Sequence, residues 1–209
     1  MYRLFGHRGW GSALIEAQLA WYGLPFEFED VGNPFKSTRA RADLAAINPA
    51  GQMPALILPD GALMTESAAI TLLLAETVGR DDLVPAPGSP DRGRFLRWLT
   101  FMVANVYPTF TYADVPARFV AAADAQAGYV EAVAAWRARL WGILEAEVGT
   151  PWVLGERFCA LDIYVAVMTR WTPRRDWFAV HSPNLARVAA KVDAVPALTP
   201  VWSRNFRTP

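Results

Sequence analysis

The chain has 209 residues, 20 basic and 20 acidic side chains that cancel to a formal net charge of zero, and a hydrophobic fraction of 53%. It is long enough to bury a sizeable core, as one large domain or as two small ones that share an interface. The charge balance argues against nucleic acid and anionic membranes as partners, because no net positive field attracts either.

Cysteine usage and the N-terminal residues bear on the compartment. The sequence contains one cysteine, Cys159, which excludes an internal disulfide framework and favours a reducing environment. The first residues lack the basic start and apolar stretch of a signal peptide, and no apolar run is long enough to span a bilayer. The sequence therefore predicts a cytoplasmic protein.

The first 31 residues have the order strand, helix, strand. Residues 2–6 suit a short buried strand, "SALIEAQLAWYGLPFE" has helical apolar spacing from Ser12 with Gly23 as its stop, and "PFEFEDV" predicts a second strand. Because a strand-helix-strand crossover is almost always right-handed, the two strands are expected to pair in parallel.

The next 50 residues complete a compact α/β module. The polar stretch "NPFKSTRARADLAAINPAG" is expected to be irregular, with a helical turn around Asp43 to Ile47. "MPALILP" and "ALM" flank an Asp-Gly pair, which is a strong hairpin signal. "TESAAITLLLAETVG" begins with residues that can cap a helix and continues as an apolar helix.

The remainder of the chain is predicted to be helical. The proline-rich segment "RDDLVPAPGSPD" is typical of a linker. The predicted division is residues 1–80, a linker at 81–90, and residues 91–209. The helices predicted after the linker cover about 91–112, 124–148, 159–171, 183–193 and 197–203.

Three stretches together resemble the glutathione S-transferase family. They are "NPAGQMPALILPDGALMTESAAI", "GERFCALDIYVAV" and the opening strand, loop and helix. The resemblance covers nearly the whole chain, more loosely after residue 110. It implies an α/β thioredoxin-like domain that binds glutathione, an all-α C-terminal domain, glutathione as the co-substrate with no metal, and a homodimer.

The resemblance assigns the middle stretch to glutathione. It implies a cis Met53-Pro54 bond, which would turn the Met53 backbone toward the cysteinyl backbone of the ligand. Ser67 is expected to donate to the γ-glutamyl carboxylate at a helix N-terminus, and Glu66 to accept from its ammonium group. The alternative is that "TES" only caps the helix.

Further polar residues are candidates for the rest of glutathione. The resemblance implies that the Gln52 amide bonds the ligand backbone or a carboxylate. Lys36, Arg39 and Arg41 are the candidates for the glycyl carboxylate, with solvated surface charge as the alternative.

The opening loop "GHRGWGS" occupies the place where the family activates the thiol. Family members use a tyrosine, serine or cysteine there, because only the thiolate is a good nucleophile. The corresponding positions here hold Phe5, Gly9 and Gly11, which carry no donor side chain. Ser12 is the nearest hydroxyl, at the predicted start of a helix whose dipole favours a thiolate.

Ser12 has more than one interpretation. It is either the catalytic donor or an N-cap. His7 and Arg8 can supply positive charge near the sulfur, and the backbone N–H groups of residues 10–12 can bind it without any side chain.

The family resemblance also implies a hydrophobic substrate pocket between the domains. Its candidate residues are Trp10, Trp98, Phe101, Met102 and Asn105, with Tyr107 as a second catalytic candidate. Tyr107 can donate a hydrogen bond to an electrophile or a thiolate, although an aromatic residue at this spacing is as often part of the core.

"GERFCALD" resembles the family's capping box and hydrophobic staple in the C-terminal domain. Asp162 is present, but the cap position holds Cys159 in place of serine or threonine. A thiol is a weak acceptor, so the cap is expected to be poorer by ~0.5–1 kcal/mol. Phe158 and Ile163 can form the staple, and Cys159 is expected to be a buried structural residue.

The predicted function is a glutathione transferase that joins the glutathione thiolate to a small hydrophobic electrophile, a detoxification reaction. The alternative is a glutathione-binding or protein-interaction module of the same fold with little or no activity, because the usual donor is missing at Phe5, Gly9 and Gly11.

Overall fold

The computed structural model describes residues 1–206. Contacts among the described residues define two units. One contains residues 1–86 together with residues 190–206, and the other contains residues 87–189. The C-terminal segment thus groups with the N-terminal module. The division into domains at residues 1–80 and 91–209, with a linker at 81–90, stays a prediction.

A mixed four-stranded sheet forms the centre of the first unit. Its strands are β1 (Tyr2–Gly6), β2 (Phe26–Asp30), β3 (Ala55–Ile57) and β4 (Leu63–Met64), in the spatial order β2-β1-β3-β4. β1 pairs with β2 in parallel, whereas β1–β3 and β3–β4 are antiparallel. The predicted parallel pair and Asp-Gly hairpin are confirmed.

Helices from both ends of the chain belong to the first unit. They are α1 (Ser12–Tyr22), α2 (Thr38–Ile47), α3 (Ser67–Val78) and, after the second unit, α10 (Thr199–Asn205). Gly23 ends α1 at φ 67°, in the left-handed region that a glycine adopts without strain. The helical turn predicted before β3 was too short. Ser37 caps α2 by accepting from the Ala40 N–H, so the helix begins at Thr38.

The second unit is helical. Its helices are α4 (Arg92–Phe101), a π-helical turn (Met102–Val106), α5 (Tyr107–Asp114), α6 (Gln126–Glu145), α7 (Ala160–Met168), α8 (Arg175–His181) and most of α9 (Pro183–Asp193). The predicted 159–171 helix stops at Met168, and α8 was not predicted. α8 begins where Arg174 takes φ 76°, a conformation that sequence periodicity does not signal. None of the helices in residues 1–206 is long and apolar enough to cross a membrane.

Asp162 stabilises the start of α7 through two hydrogen bonds. Its carboxylate accepts from the N–H of Cys159 and from the N–H of Val153, both at 2.8 Å. The predicted capping box is present. Its contact from the Cys159 sulfur to the N–H of the third helical residue is the weaker of the two, because sulfur is a weak acceptor. Cys159 is fully buried, as predicted. Burial raises the pKa of Asp162 to about 7, against the opposing effect of the two backbone N–H groups.

The free energy of unfolding should depend on pH through Asp162. The folded carboxyl holds its proton up to about pH 7, whereas the unfolded one releases it near its ordinary value of 3.8. Unfolding therefore releases a proton in this window, and stability falls as pH rises from about 4 to about 7. Urea unfolding of the wild type and of Asp162→Asn should show a difference in free energy that shrinks over this range. A difference that grows with pH would contradict the raised pKa.

Candidate functional site

The ladders of the sheet bring three chain segments to one edge. Phe5 pairs with Ala55, and Leu56 pairs with Met64. Gly6 and Pro54 are the residues next to the last pair of the β1–β3 ladder. Pro54 and Glu66 each lie two residues beyond the last pair of the β3–β4 ladder, at the same end. The loop after β1, the Met53-Pro54 turn and the start of α3 therefore meet at this edge, which we call the site edge.

The Met53-Pro54 peptide bond is cis, as the family resemblance implied. Asn48 shapes the turn that precedes it. Its amide donates to the Gln52 carbonyl at 2.8 Å, and its side-chain oxygen accepts from the Ala50 N–H at 3.1 Å. The Gln52 side chain is exposed. The turn is therefore held by a buried side chain, while the predicted ligand-binding amide faces outward.

The start of α3 presents backbone donors. Helix α3 begins at Ser67, and its cap residue Glu66 has φ 62° and ψ 101° with no side-chain capping bond. A glutamate at positive φ is strained, and such strain is common at binding sites. The first helical bond runs from the Ile70 N–H to the Glu66 carbonyl. The earlier N–H groups, beside the positive end of the helix dipole, can receive a carboxylate.

Ser67 is itself fixed from the core side. It is 6% exposed, and its carbonyl accepts from the Thr71 hydroxyl at 2.8 Å. Thr71 in turn accepts from the Gln18 amide of α1 at 2.9 Å. This buried chain of hydrogen bonds sets α3 against α1, so the first turn of α3 has a defined position on the unit.

The three cationic candidates for the glycyl carboxylate differ in their partners. Arg39 pairs with Asp43 at 3.5 Å, and Arg41 donates to the Pro34 carbonyl at 3.2 Å. The exposed Lys36 ammonium has no partner among residues 1–206. Lys36 is therefore the candidate that needs no rearrangement to bind an anion.

Ser12 is the first helical residue of α1, and the cap position belongs to Gly11. Its side chain is 0% exposed, and its hydroxyl donates to the His7 carbonyl at 3.1 Å. A Cβ on Gly6 would collide with the Cβ and Oγ of Ser12. Ser12 thus packs against Gly6 of β1 and holds the intervening loop close to the strand. Its hydroxyl proton already has an acceptor, the His7 carbonyl.

The backbone of the loop has donors of its own. The Trp10 N–H donates to the His7 carbonyl at 3.1 Å, and the Gly9 N–H donates to the side chain of Asn205 at 3.1 Å. Within residues 1–206, the N–H groups of Gly11 and Ser12 make no hydrogen bond. They lie at the N-terminus of α1, where the helix dipole favours negative charge.

His7 and Trp10 are the aromatic residues of this loop. The Nδ1 atom of His7 lies 2.7 Å from an oxygen of Asp30, at the ends of the paired strands β1 and β2. Partial burial acts to raise the pKa of Asp30, but hydrogen bonds from His7 and from the Gly32 N–H outweigh it and lower that pKa. Trp10 packs its ring 5.0 Å from Phe35 and 5.5 Å from His7.

The predicted pocket residues of the second unit surround the π-helical turn. π-helical turns inside helices are rare and often occur at functional sites. Trp98 and Met102 are buried, whereas Phe101 and Tyr107 are half-buried and Asn105 is exposed. Tyr107 packs on Trp171 at 5.2 Å between ring centroids. The assignment of these residues to a pocket, and of Tyr107 to catalysis, stays a prediction.

Sequence reasoning missed the polar residues that hold the site in place. Glu16 and Gln18 are buried in α1, and Asn205 is buried in α10. Glu16 and Gln18 could have been noticed, because they are the carboxylate and the amide inside the apolar stretch "SALIEAQLAWY". Burial of such polar side chains requires hydrogen-bond partners. No sequence signal pointed to Asn205. Within residues 1–206, no cluster of three or more histidine, cysteine or acidic residues can hold a metal ion.

Comparison with solved structures defines the class of fold. A glutathione transferase homologue from Sulfitobacter, crystallised with bound glutathione, superimposes with a TM-score of 0.86 over 97% of both chains at 22% identity. BphK, a bacterial glutathione S-transferase solved as a ternary complex, gives a TM-score of 0.77 at 26% identity over 96% of this chain and 98% of that one. The fold is that of glutathione S-transferases.

Sequence relatives establish the family. Residues 15–77 match the family described as "Glutathione S-transferase, N-terminal domain". The GST-like protein YncG of Escherichia coli K12, described as uncharacterized, is 36% identical over 206 residues, 98% of each chain. Glutathione S-transferase GstA of Escherichia coli O157:H7 is 32% identical over 172 residues, 81% of each chain. The chain belongs to the glutathione S-transferase family.

The contact of Gly6 with Ser12 should be required for stability. Gly6→Ala should lower the free energy of unfolding by about 2–3 kcal/mol, because the added methyl overlaps Ser12. The double variant Gly6→Ala/Ser12→Gly removes the overlapping side chain and should recover part of that loss. Urea unfolding of four proteins, namely the wild type, Gly6→Ala, Ser12→Gly and the double variant, measures the effect. Additive losses would show that the two residues do not share one space.

Proposed function

We propose that the protein is a glutathione transferase that binds glutathione along the site edge of its first unit. One observation carries the proposal. The start of α3, the Met53-Pro54 turn and the loop after β1 lie side by side at this edge. The start of α3 can bind a carboxylate, the turn can pair with a peptide backbone, and the loop can bind a thiol. These three segments form a row along the site edge. Family membership and the glutathione-bound Sulfitobacter homologue of this fold support it.

The two ends of glutathione bind to different parts of the row. The γ-glutamyl carboxylate accepts from the Ser67 hydroxyl and from the first N–H groups of α3, and Glu66 accepts from the adjacent ammonium group. The Met53 backbone pairs with the cysteinyl unit in the manner of an added strand. Gln52 and Lys36, both exposed, bind the remaining amide and the glycyl carboxylate.

The thiol is directed to the loop after β1. The N–H groups of Gly11 and Ser12 donate to the sulfur and, with the dipole of α1, stabilise the thiolate. The Ser12 hydroxyl does not serve this purpose, because it is buried and already donates to His7. The thiol proton passes to solvent, and proximity in the bound state favours attack of the sulfur on an electrophilic carbon. As the new carbon–sulfur bond forms, the electron pair of the broken bond departs with a leaving group or, in an addition, passes to the neighbouring atom, which then takes a proton from solvent.

The electrophile is assigned to apolar surface on family grounds. In the first unit, the candidate contact is Trp10 in the loop after β1. In the second unit, the family resemblance suggests the accessible residues Phe101, Asn105 and Tyr107 around the π-helical turn. Detoxification of small hydrophobic electrophiles, a cytoplasmic location and a homodimer are proposed on the same grounds.

A binding protein without transferase activity is the second candidate. One observation favours it. The loop from His7 to Gly11 offers the sulfur no hydroxyl or thiol, and the neighbouring hydroxyl of Ser12 is committed to a carbonyl. Such a protein would bind glutathione but leave its thiol pKa unchanged.

Binding at α3 is tested by Ser67→Ala. Loss of a hydrogen bond to a charged group is worth about 1.5–3 kcal/mol, so the affinity for glutathione should fall at least about tenfold. Titration calorimetry measures the affinity, and retention on immobilised glutathione gives a second readout. Ser203→Ala, an exposed serine of α10, is the matched control and should bind normally. Equal affinity of all three proteins would contradict the assignment of Ser67.

Thiol activation is tested by absorbance of the thiolate in the complex as a function of pH. The wild type should lower the thiol pKa of bound glutathione below that of free glutathione. Ser12→Ala should leave the lowered value unchanged and reduce the free energy of unfolding by about 1 kcal/mol, because only the hydrogen bond to His7 is lost. A wild-type value equal to that of free glutathione would identify a binding protein. A rise in Ser12→Ala alone would make Ser12 the donor.

A further inference from the structure

Asn205, at the end of α10, joins two distant parts of the first unit through one amide. Its side-chain oxygen accepts from the Gly9 N–H at 3.1 Å. Its nitrogen donates to the Glu16 carboxylate at 2.7 Å and to the Val201 carbonyl at 3.0 Å. Asn205 is buried, so each of its polar atoms depends on these partners.

Glu16 fixes the orientation of that amide. It is 2% exposed, in the second turn of α1. One oxygen accepts from Asn205, and the other accepts from the Arg204 Nε at 2.7 Å. A buried carboxylate is stable only when it is paired and hydrogen-bonded, so α10 and α1 hold each other at this point. Because an ionised carboxylate can only accept, the Asn205 nitrogen must face Glu16 and its oxygen must face Gly9.

The loop itself lies close against α10. Gly9 has φ 78°, and a Cβ at that position would lie 3.2 Å from the Asn205 carbonyl oxygen and 3.7 Å from the Phe206 ring. The rest of the loop is closed locally by the His7 carbonyl, which accepts from the Trp10 N–H and the Ser12 hydroxyl. The bond from Gly9 to Asn205 therefore ties a locally closed loop to a helix 196 residues later in the chain.

We propose that Asn205 is a positioning residue for thiol activation. It holds the loop backbone so that the Gly11 and Ser12 N–H groups converge on the glutathione sulfur, and Glu16 sets its amide orientation. This inference rests on the proposed function and assigns a part of it to the C-terminal helix. Displacement of a catalytic donor by about 1 Å can cost about 100-fold in rate, so a single support outside the loop has a measurable effect.

Asn205→Leu tests the role, because it keeps a similar volume and removes the side-chain hydrogen bonds to Gly9, Glu16 and Val201. The hydrogen-bonded amides of the loop, those of Gly9 and Trp10, should exchange with deuterium at least about tenfold faster. The thiol pKa of bound glutathione should rise toward that of the free molecule, and kcat/KM for conjugation should fall about tenfold. Glutathione affinity should change little, because Ser67 and Met53 are untouched.

Arg204→Gln is the matched control. Arg204 pairs with the same Glu16 carboxylate from the same helix, and within residues 1–206 it makes no hydrogen bond to the loop. This variant should lower the free energy of unfolding, yet leave the loop exchange rates and the thiol pKa at wild-type values. If it reproduces the effects of Asn205→Leu, the role of Asn205 is only to stabilise α10, and the proposal is wrong.

The failure of this inference is distinguishable from the failure of the proposed function. If Asn205→Leu leaves both the loop exchange and the thiol pKa unchanged while the wild type lowers the thiol pKa, only the role of Asn205 is wrong. If the wild type does not lower the thiol pKa at all, the proposed transferase function fails first.

Discussion

Ser12 lies directly over Gly6, and the geometry of the candidate site depends on that contact. Gly6 is the last residue of β1. It pairs with Asp30 of β2 on one side, and on the other side it follows Phe5, the last β1 residue paired with β3. Because no side chain fits between Gly6 and Ser12, α1 begins immediately above the edge of the sheet. The N-terminus of α1, the Met53-Pro54 turn and the start of α3 are then neighbours. A side chain at Gly6 would separate the helix from the strand and remove the row of backbone donors.

Buried polar groups fix the helices around this edge. Gln18 and Thr71 connect α1 to α3, and Glu16 and Asn205 connect α1 to α10. Each of these four side chains is buried and makes at least one hydrogen bond. Each contact therefore fixes one relative position of its two helices, which apolar packing alone does not. The precision of the site therefore comes from polar side chains on the core side of the helices that surround it.

The loop after β1 has the family's location without the family's side-chain donor. Glycines occupy two of the positions where a serine or cysteine is expected, and the remaining hydroxyl faces the His7 carbonyl. What the loop retains, among the described residues, is a helix N-terminus with unpaired N–H groups and a nearby His7–Asp30 pair. Backbone donors are weaker individually than a positioned hydroxyl, so their effect depends on how rigidly the loop is held. Asn205 matters for this reason, because its hydrogen bond with the Gly9 N–H holds the loop in place.

Features that arise from neighbours along the chain could be predicted from the sequence. Alternating and helical apolar spacing indicated most strands and helices, the Asp-Gly pair indicated the hairpin, and the family motifs indicated the cis Met53-Pro54 bond. The side chains that support the site became visible only in the folded chain. Asn205 meets Gly9 across 196 residues of sequence, and His7 meets Asp30 because two strands pair in parallel. Such contacts have no periodicity, since they depend on where folding brings two remote backbones together.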